Sequence, residues 1–299
     1  MHEKKIDGAI LTLHERLLPD GGFAELPNAS YRIDATAWGI LALVSAGHAD
    51  RNVVAGARRR LAGSQSKDGR VSISAEYPMS FWPTPLAVLA WQGSKAEGNA
   101  SALALNFLLN TTGKHFKKPP DSPVADDPSI KGWPWVENTY SWVEPTALAL
   151  LALRTTGFDK HSRAREAVNM LMNRQLPHGG WNYGNTIVYG RELYPQPGST
   201  GIALSALAGQ VDKAEILTSL DYLKKESEQH RSPFSLSWAL IGLSAWGERP
   251  APSQAWISES LDLQKKYGVY GTSLLSLLII SSFVDGDISR FLQRSGTVE

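Results

Sequence analysis

Short apolar segments recur along the chain and share one pattern. Each starts with Thr and is apolar or small at nearly every later position; the clear copies span residues 36–43, 84–91, 146–153 and 200–207. Weaker copies start near Ser235 and Thr272. Helices that are apolar nearly all round are packed on every side. The pattern therefore predicts six inner helices, several of which end at a glycine, as helix C-termini prefer: Gly47, Gly93, Gly157 and Gly209.

The segments between these copies mix charged and apolar residues at helical spacing, which predicts helices with one face in water. They span residues 6–17, 53–61, 101–109, 164–172, 214–225 and 254–263. Strict alternation predicts an all-α fold, a single (α/α)6 barrel whose inner helices all run in one direction. We expect one domain over residues 1–299. The inner N-termini should meet at one mouth, at Asp34, Trp82, Glu144, Ser199, Ser235 and Tyr270.

The amino-acid composition excludes several classes of function. Net charge is +1, so no overall field attracts nucleic acid. The absence of cysteine excludes disulfides, thiolate nucleophiles and sulfur-ligated zinc. The histidines show no metal-ligand spacing, so neither a metal nor another cofactor is expected. The N-terminus lacks the apolar core of a signal peptide, and the most apolar run, residues 274–280, is too short to span a bilayer. We expect a cytoplasmic protein.

A second repeat lies in the loops. Residues 175–181, from Gln175 to Trp181, match the Gln-x-x-x-Gly-x-Trp motif of the squalene and oxidosqualene cyclases, and residues 65–69 and 20–23 are eroded copies. On these residues the chain resembles the squalene-cyclase and prenyltransferase α/α-toroid superfamily over essentially its whole length. The resemblance implies that the Gln caps an outer helix and the Trp stacks on a neighbouring loop. An insertion at residues 114–135, rich in Pro and Asp, departs from the short loops elsewhere, and loops of that length are often functional.

Within that superfamily, the absence of cysteine excludes the classes of protein that need one. Protein prenyltransferases bind zinc through Asp, Cys and His, lanthionine cyclases use two Cys and a His, and complement-type thioester domains need a Cys. Three classes stay open: protonating terpenoid cyclases, helical-barrel enzymes acting on polysaccharides, and non-catalytic binders.

Two carboxyl groups are the candidate catalytic acids. Protonating cyclases carry Asp-x-Asp-Asp-Thr-Ala at the start of an inner helix; Asp34 matches the middle acid of that motif, and Glu144 occupies the equivalent place in another repeat. A proton donor must be neutral, and Asp34, beside Arg32 at a helix N-terminus, is expected to stay charged. Burial would raise the pKa of Glu144 while the helix dipole opposes the shift, so its direction stays open. Both residues also have a purely structural interpretation, in which Asp34 is an N-cap and Glu144 is an ordinary helix start before Pro145.

Aromatic residues recur just before the inner helices. With Arg32, they are the predicted substrate-binding residues of an aromatic-lined central cavity, although they could also simply fill the barrel: Tyr31, Phe81, Trp82, Trp133, Trp135, Tyr140, Trp142, Tyr194, Phe234 and Tyr270.

The resemblance implies a terpenoid cyclase that starts its reaction by protonating an apolar isoprenoid. Complete triterpene cyclases use two helical domains, so a protein partner that completes the site, and peripheral contact with a membrane, are also expected. Two alternatives remain open. One is a non-catalytic binder of an isoprenoid or peptide; the other is a carbohydrate-active enzyme with paired carboxylates.

Overall fold

A computed structural model of the chain describes residues 2–47 and 51–295, and six apolar helices form a closed ring in it. Consecutive members pack against each other, and the last packs against the first. The predicted (α/α)6 barrel is confirmed. The inner helices are α2 (Ile33–Ala46), α4 (Pro83–Ala90), α6 (Val143–Thr155), α8 (Pro197–Leu207), α10 (Pro233–Ala245) and α13 (Thr272–Phe283).

The outer helices pack on the inner ring and alternate with it along the chain. Their bounds lie within a few residues of those predicted. They are α1 (His2–Glu15), α3 (Arg51–Gly63), α5 (Gly98–Asn110), α7 (Ser162–Asn173), α9 (Leu217–Gln229) and α11 (Ser253–Asp262). A 3-10 turn, Lys213–Ile216, precedes α9, and a short helix α12 (Gln264–Tyr267) follows α11.

The inner helices start and stop as local chemistry dictates. Proline occupies the first turn of α4, α8 and α10, where its missing N–H is not needed. The four glycines predicted to end inner helices all adopt left-handed φ values between 65° and 81°, which residues with a Cβ rarely adopt. The last turns of α4 and α8 are also capped by arginine, because Arg58 donates to the carbonyl of Ala90 and Arg154 to those of Ser205 and Ala206.

A helix absent from the sequence prediction, α14 (Ile288–Ser295), packs against α2 and α6. It buries Ile288 and Leu292, and Asp287 just before it pairs with Arg154 of α6. Gln293 donates to the carbonyls of Arg154 and Thr155 at the end of α6. Helix α14 therefore closes the end of the barrel where the inner helices terminate.

Two short hairpins lie at the opposite end of the barrel. Strand β1 (Phe23–Ala24) pairs antiparallel with β2 (Tyr31–Arg32), and β3 (Ile187–Val188) pairs antiparallel with β4 (Arg191–Glu192). The second hairpin turns through two residues of positive φ, Tyr189 and Gly190. Strands of two residues are too short to leave a periodic signal, so the sequence did not predict them.

The threonine that opens each apolar segment fastens the preceding loop to its inner helix. Its hydroxyl accepts from the backbone N–H of one loop residue, and in three of the four cases it donates to the carbonyl of the same residue. The Thr36 hydroxyl instead donates to the Arg32 carbonyl, at 2.7 Å. The four pairs are Thr36 with Phe23, Thr84 with Val71, Thr146 with Trp133, and Thr200 with Trp181. These threonines explain the Thr at the head of the repeat and fix the loops that form the mouth.

The interior of the ring is packed. The indoles of Trp38 and Trp238 meet edge to face with their ring centres 6.0 Å apart. The cavity beside them, lined also by Leu151 and by Leu292 from α14, measures about 10 Å³. That space is about enough for one water molecule. At this level the barrel is therefore filled by two tryptophans and the closing helix, and the predicted apolar central cavity does not extend to it.

Among residues 2–47 and 51–295, no single helix is long and apolar enough to cross a membrane. The pair Thr272–Phe283 and Ile288–Arg294, bent by 86°, meets the length and composition criteria only when its two helices are taken together.

Candidate functional site

Contacts between side chains link the first turns of neighbouring inner helices at the open end of the barrel, which we call the mouth. Ser199 of α8 donates to Glu144 of α6, and Glu25, in the loop after β1, accepts from the backbone and hydroxyl of Ser273 of α13. The mouth therefore collects three partly or fully buried carboxyl groups: those of Glu25, Asp34 and Glu144.

Glu144 lies in the first turn of α6, and only 7% of it is exposed. Its carboxyl accepts one side-chain hydrogen bond, 2.8 Å from the Ser199 hydroxyl. Burial raises the pKa of Glu144 above its ordinary value, and the Ser199 hydrogen bond opposes that rise only in part. Glu144 is more than a helix start, since its side chain joins two inner helices.

Asp34 lies in the first turn of α2 and is 6% exposed. Both of its oxygens accept from the Arg32 guanidinium, at 2.9 and 2.7 Å, in a bidentate pair. The same hydrogen bonds raise the pKa of Arg32. The interpretation of Asp34 as an N-cap is wrong, because Arg32 occupies the cap position and no side chain caps α2. Both oxygens of Asp34 are thus engaged by one guanidinium group.

Glu25 is a third carboxyl that the sequence analysis missed. Burial raises its pKa, the Ser273 hydrogen bonds lower it, and the nearby Asp34 carboxylate raises it further. Glu25 follows the eroded loop motif at residues 20–23 by two positions. No motif marks it; the β1–β2 hairpin brings it near Asp34, and ring closure brings Ser273 of α13 to it.

Four of the aromatic residues predicted to bind substrate make packing contacts toward the outer helices. The Tyr31 hydroxyl bonds with that of Ser64, and the Tyr270 hydroxyl donates to the Ser260 carbonyl. Phe81 and Trp133 are 2% and 1% exposed. Phe81 meets Phe107 of α5 edge to face, and the Trp133 indole donates to the Leu108 carbonyl beneath the Arg163 guanidinium. Trp133 therefore fills space between helices, whereas Phe81 and Phe107 also line a surface cavity of about 490 Å³, and the role of both residues in substrate binding stays a prediction.

Four other predicted aromatic residues lie along the rim. Trp82 and Trp135 meet edge to face at 5.5 Å and are both partly exposed. Phe234 of α10 packs closely over Gly198 at the start of α8. Tyr194, after the β3–β4 hairpin, is 89% exposed. These positions leave aromatic surface available at the mouth without forming a single cavity.

The last two, Tyr140 and Trp142, line a cavity of about 260 Å³ under the insertion. We call it the insertion cavity. Its walls come from the insertion, from the loop before α6, from the end of α7 and from residues near the second hairpin: Lys114, Phe116, Asp126, Tyr140, Trp142, Arg174 and Asn185. Trp142 is two residues before Glu144. The sequence analysis noted only that loops as long as the insertion are often functional, and it did not predict this cavity.

The insertion is held by a buried ion pair. The Arg174 guanidinium lies 3.0 Å from the Asp126 carboxylate, and their side chains are only 9% and 1% exposed. Asp126 also accepts from the backbone N–H and the hydroxyl of Thr186. Burial lowers the pKa of Arg174 to about 10. Breaking such a pair leaves an uncompensated buried charge, so the insertion should be held firmly in place.

The glutamine of the loop motif makes two hydrogen bonds to the next outer element. Gln175 donates to the carbonyl of Glu215 and to the hydroxyl of Ser219, in the turn and helix of the next outer element. Trp181 is fully buried, and its indole donates to the carbonyl of Leu171 in α7. Within the described part of the chain, no group of three or more His, Asp or Glu side chains could hold a metal ion.

No family model matches the sequence, and no curated protein matches it. Solved structures do match. The α-1,6-mannanase GH76A of Salegentibacter sp. matches with a TM-score of 0.63 and 11% identity, over 94% of this chain and 98% of that chain. An inactive variant of it in complex with α-1,6-mannotriose matches at 0.61.

The type II terpene cyclase MstE from Scytonema, in complex with geranylgeranyl dihydroxybenzoate, matches with a TM-score of 0.60 and 14% identity, over 95% and 98% of the two chains. A protein from Actinoplanes matches at 0.56 and 12% identity over 100% of both chains. At these identities the likeness shows the shared α/α-toroid fold.

Proposed function

We propose that this protein is an acid–base enzyme that acts on a saccharide chain at the mouth of the barrel, with Glu144 as the proton donor. The observation that supports this proposal is the packed interior of the barrel. A cavity of about 10 Å³ beside Trp38 and Trp238 has no room for an isoprenoid tail, whereas the insertion cavity at the mouth measures about 260 Å³. We therefore assign the chemistry to the mouth, where a sugar chain can lie across the exposed rim.

Glu144 has the environment that a general acid needs. A carboxyl group donates a proton at neutral pH only if its pKa is raised, and burial raises the pKa of Glu144. Glycoside cleavage pairs such an acid with a second, ionised carboxylate that attacks the sugar or activates water. Asp34, held by Arg32, is the second carboxylate of this proposal. Aromatic surface at Tyr140 and Trp142 provides faces on which sugar rings can stack.

The test is incubation with a panel of oligosaccharides and mass spectrometry of the products. We expect Glu144→Gln to lower kcat by about 10²- to 10⁴-fold, because it keeps the shape but removes the proton. Asp34→Asn should also abolish cleavage. Glu228→Gln, an exposed carboxylate on α9, is the matched control and should leave the rate unchanged. Cleavage that persists in both the Glu144 and the Asp34 variants would refute the proposal.

Isoprenoid cyclisation is a second candidate, favoured by one observation. The terpene cyclase MstE holds a geranylgeranyl substrate, and its chain is matched over 98% of its length, so a chain of this size need not supply a second helical domain. In this protein the isoprenoid would have to lie over the mouth, beneath a partner chain or against a membrane surface. The same variants incubated with linear isoprenoids separate the two candidates. A cyclised product lost in Glu144→Gln supports cyclisation, and saturable quenching of tryptophan emission without turnover supports a non-catalytic binder.

A further inference from the structure

Three tyrosines are exposed on the second hairpin and its flanks. Tyr183 precedes β3, Tyr189 lies in the turn and Tyr194 follows β4, with 54%, 82% and 89% of their surfaces exposed. Within the described residues, none of their hydroxyls has a hydrogen-bond partner. Because an aromatic face is apolar, three such rings on one hairpin indicate a surface that a ligand covers.

The backbone of Tyr189 is strained. With Gly190 it forms the two-residue turn between Val188 and Arg191, and its φ is 49°. Turns of this kind favour Asn or Gly at that position, since a positive φ is unfavourable for a residue with a bulky side chain. A local choice that opposes folding points to a functional role. Folding alone would favour Asn at position 189, so the tyrosine indicates a use for its ring.

The insertion holds the hairpin in place. The N–H of Tyr189 donates to the carbonyl of Pro123, and the N–H of Ala125 donates to that of Ile187. The insertion thereby adds a third, antiparallel segment beside β3. A surface fixed in this way loses little conformational freedom when it binds a ligand, which favours affinity.

Both ends of the hairpin are attached beside Glu144. Before β3, the carbonyl of Tyr183 accepts from the N–H of Val143, the residue that precedes Glu144. After β4, the chain enters α8, whose Ser199 donates to the Glu144 carboxyl. The exposed tyrosines therefore lie on the side of the mouth where Glu144 is found.

The hairpin fits an uncharged ligand of more than one unit. Arg191 and Glu192 are the only charged residues between positions 183 and 194, and Glu192 is already bound to His178. Anionic membranes and polyanions attract clusters of Lys and Arg, which this segment lacks. Extended chain rises about 3.3 Å per residue, so residues 191–194 span roughly 13 Å, which is longer than one sugar ring.

We propose that the second hairpin is a platform for consecutive units of a neutral polysaccharide, whose apolar sugar faces stack on Tyr183, Tyr189 and Tyr194. The proposal rests on the proposed function for the saccharide nature of the ligand. It adds that the substrate is an uncharged polymer, held by exposed rings outside the insertion cavity.

The test measures binding apart from turnover, by native electrophoresis of the Glu144→Gln protein in gels that contain a soluble mannan, a xylan or a β-glucan. We expect at least one polymer to retard the protein, and a disaccharide of the same sugar to compete poorly. Tyr194→Ala should weaken polymer binding by about two- to tenfold, the effect of one lost stacking contact. Tyr267→Ala is the matched control, because Tyr267 is 69% exposed but precedes α13, which packs against α2 and α10.

Tyr189→Asn separates binding from folding. Asparagine adopts a positive φ more readily, so this variant should unfold at the same or a higher urea concentration while its polymer binding weakens. Tyr189→Phe keeps the ring and should retain binding. Lower stability with unchanged binding in Tyr189→Asn would show a purely structural role and overturn the proposal.

Other outcomes would also overturn the platform: binding to none of the three polymers, or equal binding by the Tyr189→Asn, Tyr194→Ala and Tyr267→Ala variants. So would co-sedimentation with phosphatidylserine vesicles, or a dimer in solution, that Tyr189→Asn abolishes, because a membrane or a second copy would then cover the tyrosines. The two proposals fail separately. Tyrosine-dependent polymer binding without cleavage by the wild type supports the platform and refutes the proposed enzyme, whereas polymer cleavage that the tyrosine variants leave unchanged refutes the platform alone.

Discussion

Glu144 shows how burial and hydrogen bonding compete at one residue. Its carboxyl has a single hydrogen-bond donor, Ser199, while 93% of its surface is withdrawn from water, since 7% remains exposed. The net rise in pKa means that folding favours the protonated form. The stability associated with Glu144 is therefore complete below its ordinary pKa of 4.5 and is lost as the pH rises through the higher pKa of the folded state.

Glu144→Gln should consequently stabilise the protein more at high pH than at low pH. Glutamine cannot ionise, so the variant avoids the cost of a buried charge. We expect the difference in free energy of unfolding between variant and wild type to grow from about pH 4 to about pH 7, measured by urea denaturation at each pH. A difference that is constant over this range would show that Glu144 does not titrate with a raised pKa.

Glu248→Gln is the control, for which we expect the opposite dependence of stability on pH. Lys213 and Lys224 lower the pKa of Glu248 to about 2. The stability that Glu248 contributes is present above its ordinary pKa and is lost as the pH falls toward 2. Its removal should therefore cost stability at neutral pH, and the cost should vanish in acid.

Helices α8 and α10 make the closest backbone contact between inner helices. A Cβ placed on Gly201 would lie 2.2 Å from the Trp238 carbonyl oxygen, and one placed on Gly242 would lie 2.7 Å from the Gly201 carbonyl oxygen. Neither helix can move away freely, because Trp238 also packs on Trp38 in the centre of the ring. These two glycines set the distance between the helices.

Gly201→Ala should lower the free energy of unfolding by about 1 to 3 kcal/mol, since an extra methyl group in a packed contact forces the backbone to shift. Gly8→Ala is its matched control within α1, where nothing lies within 4 Å of an added Cβ. It should raise the free energy of unfolding by about 0.5 to 1 kcal/mol, because alanine is the better helix former. Urea unfolding of the two variants measures both, and effects of the same sign would contradict this account.

At the scale of the whole molecule, the barrel has one closed end and one open end. Helix α14 covers the C-terminal ends of the inner helices and places Leu292 against the small central cavity. The loops, the hairpins and the insertion occupy the other end. The candidate site and the proposed chemistry are therefore both assigned to the mouth.

Leu292→Ala tests the closure. Leu292 is 3% exposed, so its truncation should enlarge the central cavity and lower the free energy of unfolding by about 2 to 5 kcal/mol. Arg290→Ala, on the exposed face of the same helix, should change stability by no more than about 0.5 kcal/mol. Thermal or chemical denaturation distinguishes them. A similar small loss in both variants would mean that α14 does not seal the core.

The sequence by itself determined the twelve main helices and their inner or outer place. That information is local: residues three or four apart share a helix face, so an all-round apolar pattern and a one-sided pattern remain distinct in the printed chain. The helix ends were equally readable, because a glycine such as Gly47 ends a helix through its own backbone freedom.

The arrangement of the candidate site, in contrast, depends on tertiary contacts that the sequence does not show. Which way an aromatic ring turns at the mouth depends on distant partners, so the sequence could not separate Trp133, which fills the space beneath Arg163, from Trp142, which lines a cavity. The pKa of Glu144 depends on Ser199, 55 residues away, and the insertion is held by Arg174 from another helix. The filling of the core likewise required Trp38 and Trp238 to meet across the ring. Such contacts join residues that are far apart in the chain, so no local pattern encodes them.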